Sequence, residues 1–142
     1  MPYRAVIMQF HLDKPVFTGV VCQFRPITTP VGTANATLTA EQTVEGIVAM
    51  TPTAARTLTT ATAAAIVAAI GVPVQIGTTF ELTVVNGAAS SHALTLTAPT
   101  SGGITLGGDS AMATISASTS ATYIGRVTGV STPAVTFYRK SG

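Results

Sequence analysis

The chain has 142 residues and a net charge of +2, and only 8% of its residues are charged. Its seven Lys and Arg residues are scattered along the sequence, so they cannot form the clustered basic surface that nucleic-acid binding requires. The most apolar run is cut by Gly71 and Pro73 and is far shorter than the ~20 residues that a bilayer requires, which excludes a membrane span.

Residues 1–35 differ in style from the rest of the chain and predict an extended N-terminal arm with one or two strands, followed by a linker. Val6, Met8 and Phe10 alternate with residues that are also largely apolar, so a strand here needs cover on both faces. Prolines and a glycine between residues 26 and 32 discourage regular structure. We therefore expect the arm to pair with the domain's own sheet or with an edge strand of a neighbouring subunit.

The compact domain is predicted to span residues 36–142, a length that suits one domain with a hydrophobic core. Its first segment predicts a short strand, a turn in which Thr39 caps the residues that follow, and a second strand. An Ala-rich segment then predicts one short helix over residues 63–70, because these are mostly good helix formers. Thr60 or Thr62 can serve as its N-cap, and a glycine and a proline shortly after it are a normal helix end.

The clearest alternation of apolar and polar residues lies between residues 78 and 98. The alternating apolar positions are Phe80, Leu82, Val84, Leu94, Leu96 and Ala98. This pattern predicts two strands that place one apolar row against a core. We expect Asn86 and Gly87 to supply the positive backbone φ angles that a strand reversal needs. Because the link from Asn86 to Ser91 is longer than a two-residue hairpin loop, it is either a wider loop or a crossing between sheets.

Short strands recur through the rest of the chain, separated by turns of small residues. This spacing predicts a mainly β fold: an antiparallel β-sandwich or barrel, jelly-roll-like, with one short Ala-rich helix and the extended N-terminal arm. The low charge needs its own explanation, since a free monomer normally carries more surface charge. Either the Thr hydroxyls hydrate the surface or, as we expect, copies of the chain or a neighbouring protein cover much of it.

Residues that could carry out catalysis or hold a metal are few. His11, His92, Asp13, Asp109 and three glutamates show no spacing typical of a zinc site, a calcium site or a nucleophile motif. We therefore expect no enzyme activity, no cofactor and no metal. Sugar binding is the competing prediction, although the chain has no Trp and three Tyr to provide stacking platforms. The lone Cys22 fits a buried thiol in a protein assembled in a reducing cytoplasm.

Three segments, in order, resemble a recurrent class of small virion-surface domains of tailed phages and other large double-stranded DNA viruses. They are LTAEQTVEGIVAMTPTAARTLTTATAAAIVAAI, VQIGTTFELTVVN and IGRVTGVSTPAVTFYRKSG. The shared features are an L-T-A-x-Q opening, an Ala-rich helix, a G-x-x-F-x-x-x-V-x-N strand and a closing R-x-T-x-V to V-x-x-Y pair. The resemblance covers residues 37–140, and residues 1–35 do not match it.

The resemblance implies a capsid decoration, or cement, protein that binds the major capsid protein on the outside of the shell, often as a trimer. Such a chain is located on the virion after assembly in the host cytoplasm. The alternative is a host-binding head-fibre, tail-fibre or lectin-like spike module. The arm would clasp the shell or a sister subunit through Tyr3, Val6, Met8, Phe10, Val16, Phe17, Phe24 and Arg25. Candidate oligomer contacts in the domain are Arg56, Tyr123, Arg126 and Tyr138. We expect the two arginines among these to pair with Glu45 or Glu81, or with a carboxylate of a partner.

Overall fold

The computed structural model describes residues 25, 27–28, 33–108 and 110–141, and there the chain is mainly β. The strands are β1 Ile27–Thr28, β2 Ala36–Thr37, β3 Ile47–Met50, β4 Arg56–Thr59, β5 Thr79–Asn86, β6 Leu94–Thr97, β7 Ile104–Gly107, β8 Thr114–Ile115, β9 Thr119–Gly129 and β10 Ala134–Ser141. The helices are α1 Ala40–Glu45 and α2 Ala63–Ile70, and a 3-10 turn covers Ser110–Ala113. The mainly β class predicted from the sequence is confirmed.

The strands form two sheets, and the chain alternates between them from β1 to β8. The six-stranded sheet has the order β1-β3-β5-β9-β10-β7, and the four-stranded sheet has the order β2-β4-β6-β8. In the first part of the chain, each return to a sheet places the new strand beside the earlier one in the same direction. Strands β1, β3 and β5 are therefore parallel, as are β2, β4 and β6.

The strand pairing is mixed, which differs from the antiparallel pairing predicted from the sequence. Strand β9 is antiparallel to both β5 and β10, and β8 is antiparallel to β6, whereas β7 runs parallel to β10. The parallel pairs arise because a chain that visits the other sheet after each strand can come back in its original direction. Period-two hydrophobicity reports which face of a strand is buried and carries no information on strand direction.

The link between β5 and β6 is a crossing between sheets, one of the two alternatives left open by the sequence. Neither Asn86 nor Gly87 has a positive φ, so the expected reversal chemistry is wrong. Instead, the buried Asn86 side chain stabilises the crossing. Its Nδ2 donates to the carbonyl oxygens of His92 at 2.8 Å and Ile115 at 3.0 Å, and its Oδ1 accepts from the Ala88 N–H at 3.1 Å.

The hydrophobic core lies between the two sheets. Its largest fully buried side chains include Met50, Leu58, Ile66, Leu82, Leu94, Leu96, Ile115 and Phe137. The rings of Phe80 and Phe137 meet edge to face with centroids 5.6 Å apart. Gly125 is paired with both residues across the sheet, and a Cβ there would overlap the Phe80 ring. The sheet therefore uses glycine at this position to admit a large aromatic side chain.

The predicted Ala-rich helix is confirmed as α2. Its N-cap is Thr62, whose Oγ1 accepts from the Ala65 N–H at 3.3 Å, which decides between the two residues proposed from the sequence. The helix ends at Gly71, where φ is +76° and the N–H donates to the Val67 carbonyl at 3.3 Å. Its inward face buries Ile66 in the core.

A second helix, α1, occupies the segment where the sequence predicted a capped turn, so the described part of the domain has two α-helices rather than one. Thr39 caps it as expected: its Oγ1 accepts from the Gln42 N–H at 3.2 Å, while the Gln42 Oε1 accepts from the Thr39 N–H at 2.9 Å. Beyond the cap, Val44 packs against the core. Tertiary packing thus supports a helix in a segment whose β-branched residues disfavour one in isolation.

The segment predicted as arm and linker contributes one strand to the domain. Within β1, Ile27 lies opposite Ile47 and Thr28 opposite Val48, so this short strand forms an edge of the six-stranded sheet. Residues 1–24, which carry the rest of the predicted arm, lie outside the described residues.

Candidate interaction surfaces

One outer surface is the side of the six-stranded sheet that faces away from the core, which we call the charged face. Because side chains alternate along a strand, the residues between the buried positions point outward here. They include Ile27, Ile47, Glu81, Thr83, Val85, Thr122, Ile124, Arg126, Thr136, Tyr138 and Lys140. Ile27 is 70% exposed and Tyr138 is 46% exposed, so the charged face carries large apolar side chains that the fold leaves uncovered.

Glu81 is the centre of an ion cluster on the charged face. Its Oε1 accepts from Lys140 Nζ at 2.7 Å, and its Oε2 lies 3.4 Å from Arg25 Nη2. The hydrogen bond and charge of Lys140 lower the pKa of the Glu81 carboxyl, with a smaller contribution from Arg25. The cluster is partly exposed, so it adds little to stability. It places Arg25, the first described residue, beside β5.

Arg126 is an exposed cation on β9, between Thr79 and Thr136 on the neighbouring strands. The sequence predicted that it pairs with Glu45 or Glu81, or with a partner, but the ion partners of Glu81 are Arg25 and Lys140. Among the side chains that the structure describes, no carboxylate pairs with Arg126. The charged face therefore presents a cation that these side chains do not neutralise.

The outward side of the four-stranded sheet, which we call the threonine face, has a different composition. Its outward positions are Thr37, Thr57, Thr59, Thr95, Thr97 and Thr114. They form two rows across the strands, and in one row the hydroxyls of Thr59 and Thr97 are 3.2 Å apart. These strand positions thus present hydroxyl and methyl groups, with neither a charge nor a large apolar side chain among them.

A third surface is the loop that follows α2. Val72 is 96% exposed and Ile76 is 66% exposed. The loop is held by backbone hydrogen bonds, since the Val74 N–H donates to the Gly71 carbonyl at 3.0 Å and the Gly77 N–H donates to β9 at 2.8 Å. It presents apolar side chains outside the strands of the charged face.

The candidate contacts predicted from the sequence have different positions. Tyr3, Val6, Met8, Phe10, Val16, Phe17 and Phe24 lie outside the described residues. Arg126 and Tyr138 are on the charged face, and Arg25 contacts Glu81 there. Arg56 lies elsewhere, half-buried at the start of β4, and its Nε has no hydrogen-bond partner among the described residues.

Tyr123 is not available as an oligomer contact, contrary to the sequence-based expectation. It is 3% exposed and belongs to the core, because its position in β9 alternates inward. Its hydroxyl donates to the Met112 carbonyl at 2.9 Å, and burial raises the pKa of that hydroxyl. Arg139 donates to the same carbonyl at 3.1 Å and to the Thr114 carbonyl at 2.7 Å, so both side chains support the 3-10 turn beside β8.

Sequence reasoning missed three features of the charged face: the exposed Ile27, the outward Ile124 and the ion cluster at Glu81. The alternation along β5 and β9 carried the signal for the outward positions of Glu81 and Ile124. No sequence signal placed Arg25 beside Glu81, because that contact depends on the parallel pairing of β1, β3 and β5.

The recess beside Tyr123 is small. It is lined by Leu106, Gly107, Met112, Ala113, Tyr123, Phe137 and Arg139 and offers ≈ 10 Å³, about the space of one water molecule. Within the described ranges, no group of three or more His, Cys, Asp or Glu side chains could hold a metal. Neither of the two α-helices described above is long and apolar enough to cross a bilayer.

Comparison with protein-family models, with curated proteins and with solved structures gives no match to this chain. The fold itself defines the class: a mainly β domain of two sheets with a threonine face, a charged face and an exposed apolar loop.

Proposed function

We propose that this chain is a structural virion protein, a capsid decoration or cement protein that binds the major capsid protein on the outside of a viral shell as a trimer. The observation that carries the proposal is the exposure of large apolar side chains at two places, although the described part of the chain already buries a hydrophobic core. Ile27 and Tyr138 lie on the charged face, and Val72 and Ile76 lie in the loop after α2. The motif order that resembles virion-surface domains supports the same reading.

The low charge of the chain fits this role. With 8% charged residues, the domain relies on hydroxyl groups and on cover by other proteins to keep its surface stable in water. A protein that binds only the assembled shell stabilises that state by mass action. Repetition of a modest contact around a symmetric lattice multiplies the effect, and a trimer suits a site of local threefold symmetry.

A host-binding head-fibre, tail-fibre or lectin-like module is the second candidate, and the exposed ring of Tyr138 is the observation that favours it. An aromatic face can support a sugar ring by apolar contact. This candidate predicts binding on a glycan array that the substitution Tyr138→Ala abolishes. An array without hits, together with unchanged host adsorption by a virus that lacks the chain, would remove it.

The proposal is tested by truncation at residue 24, because Arg25 and β1 then stay in the domain. We expect the intact chain on purified particles of the virus that encodes it. The truncated chain should still form a trimer by light scattering but should lose most of its occupancy on the particles. Absence of the intact chain from particles would refute the role in the virion. Full occupancy of the truncated chain would refute the role of the arm.

A further inference from the structure

We infer that the charged face docks on an acidic protein surface and that the threonine face points away from it. This inference rests on the proposed function and deepens it, because it names the side of the domain that meets the partner and the chemistry of that partner. Two features of the charged face support it: its charge balance and its apolar side chains.

Among the described side chains, the charged face carries more cations than carboxylates. Arg25, Arg126 and Lys140 lie on this side of the domain with Glu81. Two of the cations already contact that carboxylate, and Arg126 has no ion partner among the described side chains. A second copy docked face to face would bring like charges together, whereas a partner that carries carboxylates matches the potential. Charge complementarity thus favours an acidic partner over self-association through this face.

The apolar side chains of the charged face favour a protein as its partner. Ile124 lies directly between Glu81 and Tyr138 on the neighbouring strands, and Ile27 is exposed at the edge of the same sheet. Aromatic and arginine side chains next to aliphatic ones are typical of the centre of a protein interface. A nucleic acid would instead require several clustered cations that follow the phosphates. The mixture of apolar and basic groups therefore fits an acidic protein surface.

The test compares the same substitution on the two faces. Thr136→Glu places a carboxylate on β10 directly opposite Arg126, and Thr95→Glu places one on β6 in the threonine face. Both threonines are half-buried and lie on strands paired on both sides. Each variant would be added to particles prepared without the chain, and its dissociation constant measured. Circular dichroism and thermal unfolding would confirm that both variants are folded.

We expect Thr136→Glu to weaken binding to the particles by about tenfold or more, and Thr95→Glu to change it by less than about twofold. Arg126→Glu should weaken binding at least as much as Thr136→Glu, while Arg126→Lys should retain most of the affinity because the charge is kept. Binding by the intact chain should also weaken as the salt concentration rises.

Three results would overturn the inference. If the intact chain binds and Thr95→Glu weakens binding as much as Thr136→Glu, the charged face is not the docking surface, while the proposed function stands. If Thr136→Glu dissociates the trimer in light scattering and Thr95→Glu does not, the charged face is an interface between copies. If the intact chain does not bind particles at all, the proposed function fails and the inference fails with it.

Discussion

Asn86 shows how one polar side chain can determine a connection between two sheets. Its amide makes three hydrogen bonds to backbone groups of the crossing and of β8, and the side chain is fully buried. The sequence predicted a strand reversal at this position. The end of β5 there is confirmed, but the expected cause of that end is wrong. The expected cause was a positive φ, whereas the structure uses the amide to satisfy buried peptide groups.

The substitution Asn86→Ala should therefore destabilise the domain by about 3 kcal/mol, because it leaves buried backbone groups without partners. Urea unfolding followed by circular dichroism measures the loss. Asn35→Ala is the matched control: the Asn35 side chain accepts one hydrogen bond, from the Thr57 N–H at 3.0 Å, at an exposed site. We expect the control to cost about 1 kcal/mol or less. Equal losses in the two variants would contradict the role assigned to Asn86.

Tyr123 and Tyr138 differ in exposure, although the sequence-based prediction treated them alike. They are on adjacent strands, and the sequence proposed both as oligomer contacts. The structure buries Tyr123 and leaves Tyr138 exposed, because alternation along each strand points the two side chains to opposite sides of the sheet. The period-two pattern could have separated them, but only after the phase of each strand had been fixed by its buried neighbours, Val127 and Phe137.

Among the elements, α2 could be predicted and α1 could not. The sequence of α2 combines good helix formers, a Thr N-cap and a glycine end, so local propensity and structure agree. The sequence of α1 gives the cap but then continues with Thr43 and Val44, which are β-branched. The packing of α1 against α2 and β5 supports the helix, and such contacts between distant segments are not visible in the local pattern.

The role of the α1 cap can be tested by removing the side-chain oxygen of Thr39. Thr39→Ala removes the acceptor for the Gln42 N–H and should destabilise the domain by about 1 kcal/mol in urea unfolding. Thr39→Ser keeps the oxygen and should retain most of the stability. If the serine variant loses as much as the alanine variant, the methyl group of Thr39 rather than the cap is responsible.

The individual strands could be predicted from the sequence, but their order and direction in the two sheets could not. The apolar rows of β5 and β6 predicted both strands and the face that each one buries. The parallel pairings depend on the alternation of the chain between two sheets, which links residues as far apart as Leu58 and Leu96. Local patterns do not contain that information, so the mixed sheets could not be derived from them.

At the scale of the whole molecule, the two outer faces explain how a domain with so few charged residues can keep its surface hydrated. The threonine face uses hydroxyl groups, and the charged face concentrates Arg25, Glu81, Arg126 and Lys140 on one side. The sequence showed the shortage of charge but not its distribution, because the distribution follows from strand register. We propose that the asymmetry orients the domain, with the charged face on the shell and the threonine face in water.

Electron cryo-microscopy of purified virus particles can show both the position and the orientation of the domain. We expect trimeric density outside the shell, with the six-stranded sheet toward the capsid, Arg25 near the point of contact and the threonine face toward solvent. Particles that carry no such density, or density in which the threonine face meets the capsid, would contradict it.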